Sequence, residues 1–214
     1  MTLELESMAI EMPPVSRHPN RLPFRGVLTL VDTPSDRPPS GARDHRVLLT
    51  RQAAERALAS LLGMALDYTP ALDAHDAKRK VGIITSAEVI ELSVASCQLA
   101  GRRSDNRQLT TGNCIAVSGY IFAKDFPEVV RELRWNPARL GMSYELSDAT
   151  VQDVNARIWT LTDVTFTGAA ILRRDKAAYS QTWIELESSV GAGLRSAHSD
   201  PARRLDWSGT RPHV

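Results

Sequence analysis

The chain has 214 residues, 43% hydrophobic and 24% charged, enough apolar material for one packed domain and too much for a wholly disordered chain. Its 26 Lys and Arg against 25 Asp and Glu leave a net charge of +1, which argues against a protein whose main task is to coat nucleic acid or an anionic membrane. Two cysteines, Cys97 and Cys114, are too few for a disulfide framework and fit a reducing compartment.

Residues 1–23 carry Pro13, Pro14, Pro19 and Pro23 with little core pattern, and are expected to form an arm. Glu4, Glu6 and Glu11 stand where a secretory signal needs a basic start, so a soluble cytoplasmic protein is expected. Phe24–Val31 is β-like, 32–45 with three prolines and Gly41 reads as a long surface loop, and Arg46–Leu49 is a short strand. Thr50 can cap a helix that places Ala54, Leu58, Leu61 and Leu62 on one face. The best apolar stretch, Ala57 to Leu66, is about half of the ~20 residues that a membrane span requires.

Val81–Thr85 is the next strand; residues 86–101 suit helix and strand equally. Ile115–Phe122 is a strand, and Asp125 can cap a helix with Pro127 and Glu128 in its first turn and Val129, Val130 and Leu133 inward. Leu140–Ser147 alternates Met142, Tyr144 and Leu146 against Ser143, Glu145 and Ser147, the period-2 pattern of a half-buried strand. Arg157–Thr167 is rich in β-branched and aromatic residues, and Thr182–Leu186 closes the set. From Ser188 to Val214 the composition is that of a tail. The sum is a β-rich α+β domain over 24–187, with six or seven strands and a few helices outside.

Of the five histidines, only His75 lies inside the expected domain and outside its Pro-rich loop. His75-Asp76 lacks the further His and Asp ligands of a metal phosphohydrolase, so no metal site is expected. Cys114 opens a buried strand, where a cysteine is ordinarily an inert small hydrophobe. The glycines form no phosphate loop or dinucleotide fingerprint. The runs Lys78-Arg79-Lys80 and Arg173-Arg174 lack interleaved aromatics and read as solvated faces. Ser143 sits on the polar side of its strand behind Gly141, which would let a ligand approach the backbone; no G-x-S-x-G elbow surrounds it.

The order of these pieces resembles one family. A histidine precedes a Val81-Gly82-Ile83 strand, followed by Gly119-Tyr120 and Asp125-Phe126-Pro127-Glu128, then Gly141-Met142-Ser143-Tyr144-Glu145, then Leu161-Thr162-Asp163-Val164-Thr165-Phe166-Thr167-Gly168. This is similar to the prohead (capsid maturation) serine proteases of tailed bacteriophages, which share a fold with the herpesvirus assemblins. The likeness spans about residues 24–187.

The resemblance implies a mainly antiparallel barrel of six to seven strands flanked by helices. It also implies a serine endopeptidase that cleaves scaffold and major capsid protein in the immature phage capsid, in the host cytoplasm. Carried over residue by residue, Ser143 is the nucleophile, His75 the base and Asp163 the acid that orients it, with Glu145 as the fallback acid. Arg157 and backbone N–H groups are candidate oxyanion donors. No cofactor, metal, specific nucleic acid or membrane partner is implied, and self-association is. The alternatives are an inactive capsid or scaffold component of the same fold and a cytosolic hydrolase of a small ester or amide. The near-identical Leu3-Glu4-Leu5-Glu6-Ser7 and Ile184-Glu185-Leu186-Glu187-Ser188 have two readings: edge-strand alternation with chance, or self-cleavage sites at the Glu-Ser junctions.

Overall fold

The structure is a computed structural model that describes residues 18–92 and 112–187. Among these, eight strands form one sheet: β1 (Arg21–Val31), β2 (Arg46–Leu49), β3 (Ala65–Asp67), β4 (Lys80–Leu92), β5 (Gly112–Phe122), β6 (Leu140–Val151), β7 (Ile158–Arg173) and β8 (Trp183–Leu186). Helix α1 (Arg51–Ala57) runs into a 3-10 turn at Leu58–Leu61, and α2 (Pro127–Trp135) precedes a second 3-10 turn at Pro137–Arg139. The class is α+β and strand-rich, a curled half-barrel with few helices. None of the described helices is long and apolar enough to cross a membrane.

The strand order is β2-β7-β3-β4-β5-β1-β8, with β6 paired to β7. β7 is the spine. It carries β6 antiparallel along most of its length and takes β2 and then β3 in parallel, against Ile158–Leu161 and Ala169–Ala170. A strand with parallel neighbours is covered on both faces and reads as an unbroken apolar run; Ala169, Ala170, Ile171 and Leu172 are all buried. The core inside the curl joins Phe24, Leu28, Ile115, Ile121, Met142, Phe166 and Ile171 to α1 through Ala53, Ala54, Ala57 and Leu61.

Seven of the strands match the expected segments, with shifted ends. β4 extends through residues 86–92, resolving that part of the ambiguous stretch as strand; Cys97 and 93–101 lie outside the described residues. β1 begins at Arg21 and so takes in Pro23, which the arm was expected to contain. Pro23 is tolerated because it falls where the β1–β8 ladder ends: its carbonyl accepts the Glu187 N–H at 2.9 Å, and its missing N–H costs only the last reciprocal bond, beyond the Phe24–Leu186 pair. The expected tail at 188–214 and arm residues 1–17 lie outside the described residues.

Thr50 caps α1 by accepting the Ala53 N–H. The switch to 3-10 geometry at Leu58 advances each residue by about 120° instead of 100°, and Leu62, expected on the buried face, is 56% exposed. Asp125 does not cap α2: its Oδ2 accepts from Asn20 Nδ2 at 2.8 Å, and the helix starts at Pro127 with Phe126 in the cap position. The 32–45 loop is tied down, since Ser35 exchanges hydrogen bonds with Val47 and the Tyr179 hydroxyl donates to Thr33 and Val47 carbonyls. The strand missed by pattern reading is β3, three residues long.

Candidate active site

Alternation along β6 turns Met142 and Tyr144 into the core and leaves Gly141, Ser143 and Glu145 on the outer face. Register then assembles a row across four strands. Ser143 lies opposite Ala170 of β7, Ala170 opposite Asp67 of β3, and Asp67 opposite Lys80 of β4. Adjacent strands are about 4.8 Å apart, so Asp67 and Ser143 are separated by one strand whose residue there is only a methyl group. The imidazole of His75, from the loop between β3 and β4, bridges this interval.

His75 Nε2 stands 3.2 Å from Ser143 Oγ, within hydrogen-bond reach. On the other side, His75 Nδ1 is 3.6 Å from Asp67 Oδ1 and 3.7 Å from Glu145 Oε1. The loop is held where it is by Asp76 N–H donating to Asp67 Oδ1 and by Arg173 N–H donating to the Leu72 carbonyl. His18 and His45 are elsewhere: His18 is exposed, and His45 stacks on Trp159. His198 and His213 lie outside the described residues.

Asp67 has a side chain only 1% exposed. Burial by itself raises its carboxyl pKa, but His75, the Asp76 N–H and Lys80 together outweigh it and hold the group below the ordinary carboxylate range. Lys80 Nζ is 3.2 Å from Oδ2. An ionised, buried carboxylate therefore sits behind the imidazole. Lys80, expected as part of a solvated basic run, is its counter-ion.

Two glycines make room for neighbouring side chains. A Cβ on Gly168, the β7 residue opposite Glu145, would stand 2.7 Å from Glu145 Oε2. A Cβ on Gly141 would stand 2.7 Å from Thr182 Oγ1 and 3.3 Å from Arg174 Cγ, and Arg174 Nε donates to the Leu140 carbonyl at 3.0 Å. Glu145 thus lies over Gly168, while Arg174 stands beside Gly141, two residues before Ser143. Arg174, with Arg139, Arg173 and Asp175, also lines a cavity of about 250 Å³.

The structure brings Ser143 and His75 together and does not bring Asp163 to them. Asp163 lies opposite Thr150, far down β7, with its side chain 64% exposed and 3.6 Å from Arg56. It lies seven positions from Ala170 along the strand, roughly 23 Å at ~3.3 Å per residue. The expectation that Asp163 faces His75 is therefore corrected: the acids that face the imidazole are Asp67 and Glu145, the latter the fallback acid of the sequence reading. Arg157 is also remote, being exposed just before the first residue of β7. Cys114 is fully buried with Val27, Leu30 and Tyr179.

Asp67 escaped sequence reasoning because β3 looks like the end of the preceding helical apolar run. The signal that was available is an acidic residue closing Met64-Ala65-Leu66 eight positions before the histidine. Among the described residues, no group of three or more His, Cys, Asp or Glu has the geometry to hold a metal ion. No protein-family model matches the sequence, and neither the curated proteins nor the solved structures give a significant match.

Proposed function

We propose that the chain is a serine endopeptidase, with Ser143 as nucleophile, His75 as general base and Asp67 as the buried carboxylate that positions the imidazole. The observation that carries this is the 3.2 Å contact between His75 Nε2 and Ser143 Oγ, backed by carboxylates on the Nδ1 side. A serine hydroxyl is a poor nucleophile until an adjacent base takes its proton. With the proton on Nδ1, Nε2 is free to accept from Oγ as Oγ attacks a carbonyl carbon. The imidazolium then returns that proton to the leaving amine as the C–N bond breaks. Water repeats the sequence on the acyl-enzyme, releasing the acid and restoring Ser143. Arg174, beside Gly141 with its Nε on the Leu140 carbonyl, is the cation we assign to the oxyanion side through its terminal nitrogens, a role worth about 10²–10³ in rate where one donor has been removed from other sites.

The resemblance to the prohead proteases supports the finer reading: cleavage of phage scaffold and major capsid protein during maturation of the immature capsid, on an assemblin-like barrel, in self-associating copies. Self-cleavage is part of the same proposal. Its carboxyl-side pentapeptide largely occupies β8, with Ile184 buried and Glu185 paired to Arg25, which favours strand alternation as the reason for that copy. The amino-terminal copy lies outside the described residues.

Labelling with a fluorophosphonate, which phosphonylates activated serines, tests the site directly. The intact protein gains one label on Ser143, and Ser143→Ala and His75→Ala gain none. A folded wild-type protein that takes no label overturns the hydrolase reading. Co-expression with the phage coat protein, with and without Ser143→Ala, tests the substrate: the expected result is coat and enzyme fragments only with the serine present. Uncut coat protein beside a labelled enzyme overturns the maturation role alone.

A further inference from the structure

We infer that Glu145 is a second positioning residue for His75, sharing the Nδ1 proton with Asp67, and that Gly168 is what admits it; this rests on reading Ser143 and His75 as nucleophile and base. His75 Nδ1 is buried and makes no hydrogen bond of normal length. It lies almost equally far from Asp67 Oδ1 and Glu145 Oε1, at 3.6 and 3.7 Å. A buried N–H left unpaired is costly, so one carboxylate or both must close on it.

The two acids differ in their freedom to do so. Asp67 is held at both oxygens, by the Asp76 N–H and by Lys80 Nζ, each at 3.2 Å, and any approach to His75 strains those bonds. Glu145 is a longer side chain, 51% exposed, and can advance without breaking a bond of its own. Its path to Nδ1 runs over Gly168, where a Cβ would stand 2.7 Å from Oε2. The charged groups facing the imidazole are thus Asp67 from β3 and Glu145 from β6. Lys80 of β4 acts through Asp67, and neighbouring Asp76 is turned to Arg79.

Asp67 supplies a fixed negative field, and Glu145 supplies the mobile contact that tightens as the imidazole becomes charged. Each alone keeps the proton on Nδ1. Only the loss of both allows the other tautomer, in which Nε2 carries the proton and cannot accept from Ser143. Gly168→Ala acts as Glu145→Gln does, because the added methyl displaces the carboxylate at the end of a flexible chain with little disturbance of the backbone.

The test uses the full chain labelled with ¹⁵N-histidine, with the ring spectrum recorded on its neutral form. The ring ¹⁵N shifts of His75 identify its tautomer, and fluorophosphonate labelling gives the Ser143 rate. Expected are the Nδ1–H tautomer in wild type, Asp67→Asn and Glu145→Gln, and the Nε2–H tautomer in the double variant. Labelling should slow about tenfold in each single variant and about 10³–10⁴-fold in the double, the loss known when an orienting acid is replaced by its amide. Gly168→Ala should label at the Glu145→Gln rate. A double variant indistinguishable from Asp67→Asn in tautomer and rate overturns the inference, as does Gly168→Ala labelling like wild type. The tautomer is read without any turnover, so a failure of the hydrolase reading shows as absent label in wild type and stays separate.

Discussion

At the scale of single residues, the site is a set of short-range choices made by register. That Ser143 and His75 would meet was legible only through the family resemblance, since a serine on the polar side of an alternating strand and a lone histidine are by themselves ordinary surface features. Asp163 came from the same resemblance, which matches a motif without marking how far along β7 that motif lies from Ala170. The buried Asp67 has a consequence for acid stability. Its folded pKa lies below the ordinary carboxylate value despite burial, through His75, the Asp76 N–H and Lys80. The unfolded chain therefore binds more protons in the window below about pH 4, so Asp67's contribution is complete above that pH and lost as pH falls through the folded value. Urea denaturation should find Asp67→Asn less stable than wild type at about pH 6, by about 1–3 kcal/mol, with the gap narrowing as the pH is lowered through that window. A gap that stays constant or widens toward acid contradicts the assignment.

At the scale of elements, what positions the site is the fit of short pieces against β7. The helix α1 is only seven residues long, too short to persist without a cap and a packing surface. Thr50 supplies the cap, and its hydroxyl also reaches the Leu161 carbonyl of β7 at 3.3 Å. Thr50→Ala should cost about 1 kcal/mol in chemical denaturation, without altering the Ser143–His75 contact, which lies between β6 and the β3–β4 loop beside Ala170 of β7. Thr50→Ser should recover most of the loss. The sheet's curl has its own requirement at Gly119 of β5, where a Cβ would stand 2.0 Å from the Ile83 carbonyl oxygen of β4, beside the register shift between Ile84 and Ser86. The obstacle is backbone, so Gly119→Ala must part the strands. We expect a loss of at least about 2–3 kcal/mol, read as a lower denaturation midpoint; an alanine variant of wild-type stability would show that β4 and β5 can separate there freely. Neither the length of α1 nor β3 was legible, because both are decided by tertiary pairing with β7 rather than by local pattern.

At the scale of the whole molecule, alternation and β-branched runs revealed seven strands and the class, while their order was hidden. Parallel attachment of β2 and β3 to one long strand follows from where two short segments find cover, and three-residue β3 has no period to read. That hidden order is also what puts an acid, a histidine loop and a serine in one row. The curl of the sheet is completed where β6 meets the β8 side. The Met142 N–H, on the edge of β6 away from β7, donates to Thr182 Oγ1 at 3.1 Å, and that hydroxyl donates on to the Tyr179 carbonyl at 3.0 Å. Thr182 is fully buried, so no water replaces a hydroxyl removed from this joint. Thr182→Val keeps the shape and deletes only the hydroxyl, leaving a buried N–H unpaired one residue before Ser143. The expected outcome is a loss of about 1–3 kcal/mol together with slower fluorophosphonate labelling of Ser143, since the strand that carries Ser143 loses its tether. Thr150→Val, at the exposed far end of the same strand, should stay within about 0.5 kcal/mol of wild type and label normally. Equal behaviour of the two valine variants would mean that the joint between β6 and β8 neither closes the half-barrel nor holds Ser143 in place.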